Sequence, residues 1–417
     1  MLKIVDLNSE ESKSHLAHSL DEIARKGAQM LLAQALDTEV AEYIGKHKEQ
    51  KDGEGRALVV RNGKARSRKV TVGSGTFNVS APRVHDRREG EKFTSEILPP
   101  YLRRSANVES LLPVLYLRGL STNDFKPALV ELLGDGASGL SSTSIATLKK
   151  AWSKEFDDWG KRFITSRYVY MWADGVHAKV RLGDDSRACL LVITGVTEEG
   201  KKEVIAVEPG HRESQEAWAI VLRSLKARGV KAPLLAVADG ALGFWRALSD
   251  VYPETKHQKC WVHKMVNALD RLPKRTQIKA KDLLRQMMNA ETEADAGRAL
   301  GEYKLAFSEK YPKSCDTLEK NWKELTTFFS FPALHWTSIR TTNPIESAFA
   351  TVKLRTKATK GAGNAKAACS MAFKLLQQCE QKWRRIRGHQ EIPKLMSGVA
   401  YKDGAMLPSI GQGASGN

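Results

Sequence analysis

RYVYMWADGVHAKVRL, Arg167–Leu182, sets aromatic and β-branched residues around one acid, Asp174. If the segment is extended, Tyr168, Tyr170, Trp172 and Asp174 share a face, because strand side chains alternate with period two. A carboxylate in so apolar a strand is costly unless something neutralises it. Asp174-Gly175 is also a turn signal, yet VHAKVRL carries the strand pattern straight on. Two further strand-like runs follow, ACLLVITGVT (188–197) and KEVIAVEPG (202–210). SQEAWAIVLRSLKARG (214–229) is an amphipathic helix with Ser214 as cap and Gly229 as stop. PLLAVADG, ALGFWRALSDVYP and TKHQKCWVH then read as strand, helix and strand. The order β-β-β-α-β-α-β predicts an α/β unit with a five-stranded sheet over 165–263.

A second acid, Asp239, closes the run LLAVAD at the carboxyl end of a strand, where sites gather in α/β sheets. It fits equally well as the N-cap of the next helix. A third, Glu346, opens the helix NPIESAFATVKLRTKATK. With Asn343 as N-cap and Pro344 first in the helix, Glu346 falls at the third position and makes a capping box. Glu346, Lys353, Lys357 and Lys360 are spaced 7, 4 and 3 residues apart, which keeps them within about 60° of one another at 3.6 residues per turn. Ile345, Phe349 and Val352 lie about 90° away and can form the buried stripe. One exposed ridge thus runs from a carboxylate to a line of ammonium groups.

Three acids together suit divalent cations. Two such ions about 3.5–4 Å apart need shared carboxylates and can activate the attacking oxygen and stabilise the leaving oxygen of a phosphodiester. Hard oxygen donors select Mg²⁺ or Mn²⁺, two per site. Cys260 and His263 stand at a C-x-x-H spacing, too few for a zinc site by themselves, and core packing also explains them.

Around this unit the chain divides by pattern. Residues 1–56 are mainly helical, and 57–105 hold a small β-containing module in which Arg61-Asn62-Gly63 reads as a turn. Residues 106–160 give helix, break, helix, glycine turn, helix, the outline of a helix-turn-helix whose last helix offers Lys149 and Lys150 to DNA; a plain helical hairpin fits the same pattern. Residues 264–335 are strongly helical, 336–395 carry the Glu346 helix and further helices, and the Gly/Ser-rich 402–417 reads as a disordered tail. Over 417 residues, Lys+Arg 66 against Asp+Glu 48 gives a net charge of +18, the footprint of a protein that meets a polyanion. The five cysteines form no CxxC pair, which suits a reducing cytosol. No run of 18 apolar residues and no secretory leader are visible, so the expectation is a cytoplasmic chain without a membrane span.

ADGVHAKV, VADGALGFWRAL, KCWVHK and RTTNPIESAFATVKLRTKATKG, in this order, together with VLYLRGLSTNDF, resemble the Mutator-type transposases of bacterial insertion sequences. The resemblance spans roughly 20–395. It implies an α/β ribonuclease-H-like catalytic core with an all-helical insertion before the glutamate, preceded by a mainly helical DNA-binding region. It implies Asp174, Asp239 and Glu346 as a metal-holding acid triad, Cys260 and His263 as an auxiliary motif, and Lys353 as a basic position typical of the family. The activity expected is hydrolysis of a phosphodiester at the inverted-repeat ends and transfer of the freed 3′-hydroxyl into target DNA. Lys353, Lys357, Lys360, Arg340 and Arg355 are expected to hold backbone phosphates, and synapsis of two ends implies a dimer or more in a nucleoid-associated complex. A catalytically silent, domesticated DNA-binding regulator and a ribonuclease-H-like nuclease are the alternatives.

Overall fold

The computed structural model describes residues 10–118, 120, 125–133, 142–180, 187–210, 213–240, 242–358 and 361–408. They fall into two compact units divided between Leu148 and Lys149.

In the first unit a long helix, α1 (Glu10–Lys46), precedes strands β1 (Val59–Lys64), β2 (Arg68–Val72), β3 (Gly75–Val79) and β4 (Pro82–Asp86). β2 and β3 form a hairpin across Gly73-Ser74, and β1 pairs antiparallel with β4. Leu36 of α1 packs with Val70, Phe77, Val79 and Leu98 in a small core. Arg61-Asn62-Gly63 is not the expected turn. It lies inside β1 at an irregularity of the β1–β4 register, where Gly63 takes φ +61°, the left-handed conformation glycine adopts without steric cost. Helices α2 (Ala106–Leu117), α3 (Phe125–Leu133) and α4 (Ser142–Lys161) follow, with Ser105 capping α2 through Val108 N–H. Of the breaks between them, residues 119, 121–124 and 134–141 lie outside the described residues.

The second unit is built on strands β5 (Tyr168–Lys179), β6 (Arg187–Thr197), β7 (Lys202–Gly210), β8 (Leu235–Ala238) and β9 (Lys256–Lys259), interleaved with α5 (Gln215–Ala227) and α6 (Leu242–Val251). They form one five-stranded sheet in the order β7-β6-β5-β8-β9. β5, β6 and β7 pair antiparallel, while β5–β8 and β8–β9 are parallel. This is the strand set the sequence pattern predicts, in a mixed sheet. One face, through Met171, Ala173, Leu191 and Ile193, buries Trp218 and Leu222 of α5 and Phe244 and Leu248 of α6.

A shift in the β5–β6 register between Tyr168 and Tyr170 breaks the expected alternation. Tyr168 turns into the α5–α6 core, while Tyr170 and Trp172 reach Nδ1 of His335 (2.7 Å) and the Thr341 carbonyl (3.1 Å) on the other side. A strand bulge moves every side chain before it to the opposite face.

After β9 come α7 (Trp261–Leu269), α8 (Gln277–Asn289), α9 (Glu293–Phe307), α10 (Pro312–Glu319), α11 (Trp322–Thr326) and α12 (Trp336–Ile339). The helical stretch therefore begins at Trp261, and Cys260 is the N-cap residue of α7 rather than part of a strand running to His263. Next come α13 (Asn343–Ala358), which packs on β5, and α14 (Ala365–Glu380), which packs on β7. The chain returns from α13 through Gly361 at φ +103°, and a Cβ there would lie 2.7 Å from the Lys179 carbonyl oxygen. Ala362 N–H donates to that same oxygen (2.9 Å) at the end of β5. After α15 (Ile392–Met396), β10 (Tyr401–Lys402) and β11 (Ala405–Met406) pair as a hairpin. The expected disordered tail from 402 is thus ordered as far as its described residues go. Asp403 and Gly404 supply the positive-φ turn, and Gly404 N–H donates to the Phe329 carbonyl (3.1 Å).

Candidate active site

The sheet register places the first two acids. β5 and β8 run parallel with Ala173 opposite Ala238, so Asp174 and Asp239 are the next residues along adjacent strands. Asp174 is half-buried and lies within β5; Asp239 stands just past the end of β8. The third acid, 172 residues after Asp174 and 107 after Asp239, is brought in by a short set of ties. Trp172 Nε1 donates to the Thr341 carbonyl (3.1 Å), Cys260 N–H to the Ala238 carbonyl (2.9 Å), and Trp261 N–H to the Arg340 carbonyl (3.0 Å). These bonds seat the start of α13 against the ends of β8 and β9. Glu346 lies in its first turn.

The Glu346 capping box expected from sequence is displaced by one residue. The Thr342 carbonyl accepts from Glu346 N–H (3.0 Å), so Thr342 holds the N-cap position. Its hydroxyl donates to Glu346 Oε1. The structure also brings a fourth carboxylate, Glu213, which the sequence reading missed. Its side chain lies against Gly175, where any Cβ would overlap the carboxylate, and its backbone crosses close over Gly243. Only its place just ahead of the Ser214 cap could have signalled it.

The acids act on one another. Burial pushes Asp174 up to about 7, and the negative charge of Asp239 adds to this; the Gly175 N–H (2.7 Å) opposes it, and Glu213 and Glu346 push further up. Glu213 is also raised, by burial and by Asp239, with His263 opposing. His263 is raised to about 9 by its hydrogen bond with Cys260, against the opposing effect of its burial. Burial resists ionisation of Cys260, but its hydrogen bonds with His263 and Thr342 outweigh that and lower the thiol. The Cys260 sulfur, a His263 ring nitrogen and a Glu346 oxygen lie within 4.8 Å of one another. Cys260 is buried and already accepts from the Thr342 N–H (3.3 Å).

The expected DNA contacts divide. Lys353 and Lys357 are exposed on α13, and Lys149 and Lys150 are exposed on α4. Lys360 lies outside the described residues. Arg355 is 1% exposed, on the same stripe as Ile345, Phe349 and Val352, so it is a core residue and not a phosphate contact. Arg340 is half-buried and donates to the Met288 carbonyl of α8 (2.8 Å), which ties it to the helical stretch. Sequence reasoning passed over the turn after α14. There Lys382, Arg384, Arg385 and Arg387 are exposed while Ile386 is buried and its N–H holds the Gly200 carbonyl (3.0 Å). Arg385 also rims an open cleft of about 840 Å³ with Arg162, Lys201, Lys202, Trp159 and Trp383.

A mixed sheet that collects carboxylates where parallel strands β5 and β8 lie side by side is the framework of an α/β enzyme, and the exposed Lys353 and Lys357 on the helix that carries Glu346 suit an anionic substrate. The chain belongs to the Mutator family of transposases, whose model matches residues 2–386. It is 44% identical over 301 residues to the transposase for insertion sequence element IS6120 of Mycolicibacterium smegmatis, covering 72% of this chain and 93% of that one. It is 45% identical over 286 residues to the transposase for IST2 of Acidithiobacillus ferrooxidans, covering 66% and 94%. Identity to the transposase for IS905 of Lactococcus lactis is 28% over 338 residues, 81% of this chain and 84% of that one. Its class of activity is therefore DNA transposition, the cutting and rejoining of DNA. Among the described residues no helix is long and apolar enough to cross a membrane.

Proposed function

We propose that this chain transposes an insertion sequence through a ribonuclease-H-like core in which Asp174, Asp239 and Glu346 are the catalytic acids. The observation that carries this reading is the parallel register Ala173–Ala238, with the start of α13 tied to β5 so that the charge of Glu346 reaches Asp174. Asp174, Asp239 and Glu346, with Glu213 beside them, offer only carboxylate oxygens, the donor chemistry of Mg²⁺ or Mn²⁺. Burial, with the negative charges of Asp239, Glu213 and Glu346 added to it, raises Asp174 to about 7; this supports the fit, because a bound cation offsets both the burial of charge and the repulsion. When bound, two such ions supply charge neutralisation at the scissile phosphate and an activated oxygen nucleophile.

The chain's own groups do the rest. The acids set where that charge collects, and Gly175 N–H orients Asp174. The exposed α13 lysines hold DNA backbone along the helix that carries Glu346. The net reaction adds water across a phosphodiester at an element end, freeing a 3′-hydroxyl. That hydroxyl then displaces a 3′-oxygen in target DNA, with no net loss of phosphodiester bonds in this second step. Two ends must be held together, which requires at least a dimer.

Asp174→Asn, Asp239→Asn and Glu346→Gln are each expected to abolish Mg²⁺-dependent cleavage of inverted-repeat DNA and leave end binding within a few-fold. Cleavage at near the wild-type rate by any of the three would remove that residue from the catalytic set.

A further inference from the structure

Thr342 occupies the N-cap position of α13 without using its side chain as a cap. An N-cap hydroxyl ordinarily accepts from the second or third helical N–H; among the described residues no such bond forms here. The Thr342 hydroxyl instead donates to Glu346 Oε1, and its oxygen lies 3.2 Å from Cys260 Sγ and 3.3 Å from His263 Nδ1. The residue is fully buried. Its backbone N–H is held too, by Cys260 Sγ at 3.3 Å.

A hydroxyl has one hydrogen, and a carboxylate is a far better acceptor than sulfur. The hydrogen therefore goes to Glu346. Cys260 Sγ stays tied to Thr342 by accepting its backbone N–H, and a hydrogen on His263 Nδ1 can point into a lone pair of the Thr342 oxygen. Cys260 is itself fixed, since its N–H holds the Ala238 carbonyl of β8 at 2.9 Å. A chain of contacts thus runs from the strand that presents Asp239, through Cys260 and Thr342, to Glu346.

We propose that Thr342 is a positioning residue: with Cys260 behind it, its hydroxyl locks the Glu346 carboxylate in the rotamer that faces Asp174 and Asp239. This rests on the catalytic reading of Glu346 given above. It assigns the C-x-x-H pair a mechanical task, coupling the third acid to the sheet, in place of a separate metal site. Removing an orienting partner of this kind typically costs 10–100-fold in metal affinity or activity.

The test uses the full chain, with Mn²⁺ titrated calorimetrically in the absence of DNA and single-turnover cleavage measured beside it. Thr342→Val keeps the shape and removes the hydroxyl, and is expected to weaken Mn²⁺ binding and slow cleavage each by about 10–100-fold. Thr342→Ser restores the hydroxyl and is expected to stay within a few-fold of wild type. Thr342→Ala removes the hydroxyl without adding any donor, so it should fall with Val and not with Ser. If Ala and Val both behave as wild type in the two assays, the hydroxyl does not position Glu346 and the proposal is overturned. If Thr342→Val does not fold, the Ser and Ala variants still decide. Full activity in Glu346→Gln would sink the catalytic reading itself, whereas an inactive Glu346→Gln with wild-type Thr342→Ala sinks only the positioning role.

Discussion

Asp174 shows how one residue trades stability for chemistry. Its folded value of about 7 lies above the ordinary aspartate value near 3.8. Between those limits the unfolded chain has released the proton and the folded chain keeps it. The folded state binds more protons there, so this group's contribution to the stability of the metal-free protein falls as pH rises from about 4 to about 7, and is level above. Asp174→Asn removes the penalty. The metal-free variant is expected to melt at pH 8 at least the ~2–4 °C higher that 1 kcal/mol is worth in a domain of 150–250 residues, with the gap closing towards pH 4. Mg²⁺ or Mn²⁺ should raise the melting temperature of the wild type more than that of the variant. Equal melting at pH 8, read by calorimetry, would mean that Asp174 carries no electrostatic strain. At this scale the sequence is equivocal. Asp174-Gly175 resembles a turn, Asp239 a helix cap and Glu346 a capping box, and each local explanation is physically sufficient alone. Taken together the three suit a pair of divalent cations, and the family resemblance implies one triad; the register of β5 on β8 sets Asp174 beside Asp239.

The helix α13 shows what periodicity resolves and what it leaves open. Its 3.6-residue repeat separates an exposed ridge, Lys353 and Lys357, from a buried stripe that includes Ile345, Phe349 and Val352. Arg355 belongs to that stripe by the same arithmetic, three residues after Val352, yet its charge invites a surface role. The structure buries it. Arg355→Ala is therefore expected to destabilise the protein by about 1–3 kcal/mol, within the usual range for a disruptive buried substitution. Lys353→Ala should leave stability within about ±0.5 kcal/mol while weakening end binding and flattening its salt slope by about one unit. Denaturant melts and binding at two salt concentrations check both. A stable Arg355→Ala with a reduced salt slope would return Arg355 to the DNA-facing set. Likewise, alternation in TKHQKCWVH reads as one strand, but the helix starts at Trp261. Short apolar runs do not separate strand from helix by pattern alone, and here the Trp261 N–H is taken by the Arg340 carbonyl.

In the whole molecule the division at Leu148 falls inside α4. A fragment meant to carry the N-terminal unit should therefore run to Lys161, so that α4 is not cut. That fragment is expected to bind inverted-repeat duplexes with a steep salt dependence, because neutralised phosphates release counterions. Equal affinity for scrambled duplexes would leave charge as its sole contribution. The amino-acid pattern alone was enough for the kinds and order of elements: α1, the small β module, five strands interrupted by two helices, a helical stretch and a basic closing helix. Those follow from local propensity and from burial with periods of 2 and 3.6, which neighbouring residues impose on one another. Packing decided what those rules do not reach. The register of β5 on β8 juxtaposes Asp174 with Asp239, the bulge after Tyr168 divides the aromatic residues between faces, and Gly175 and Gly243 leave room for Glu213. Thr342 meets Cys260 across 82 residues. Such contacts are set by the fit of distant segments, and no window along the chain contains both partners.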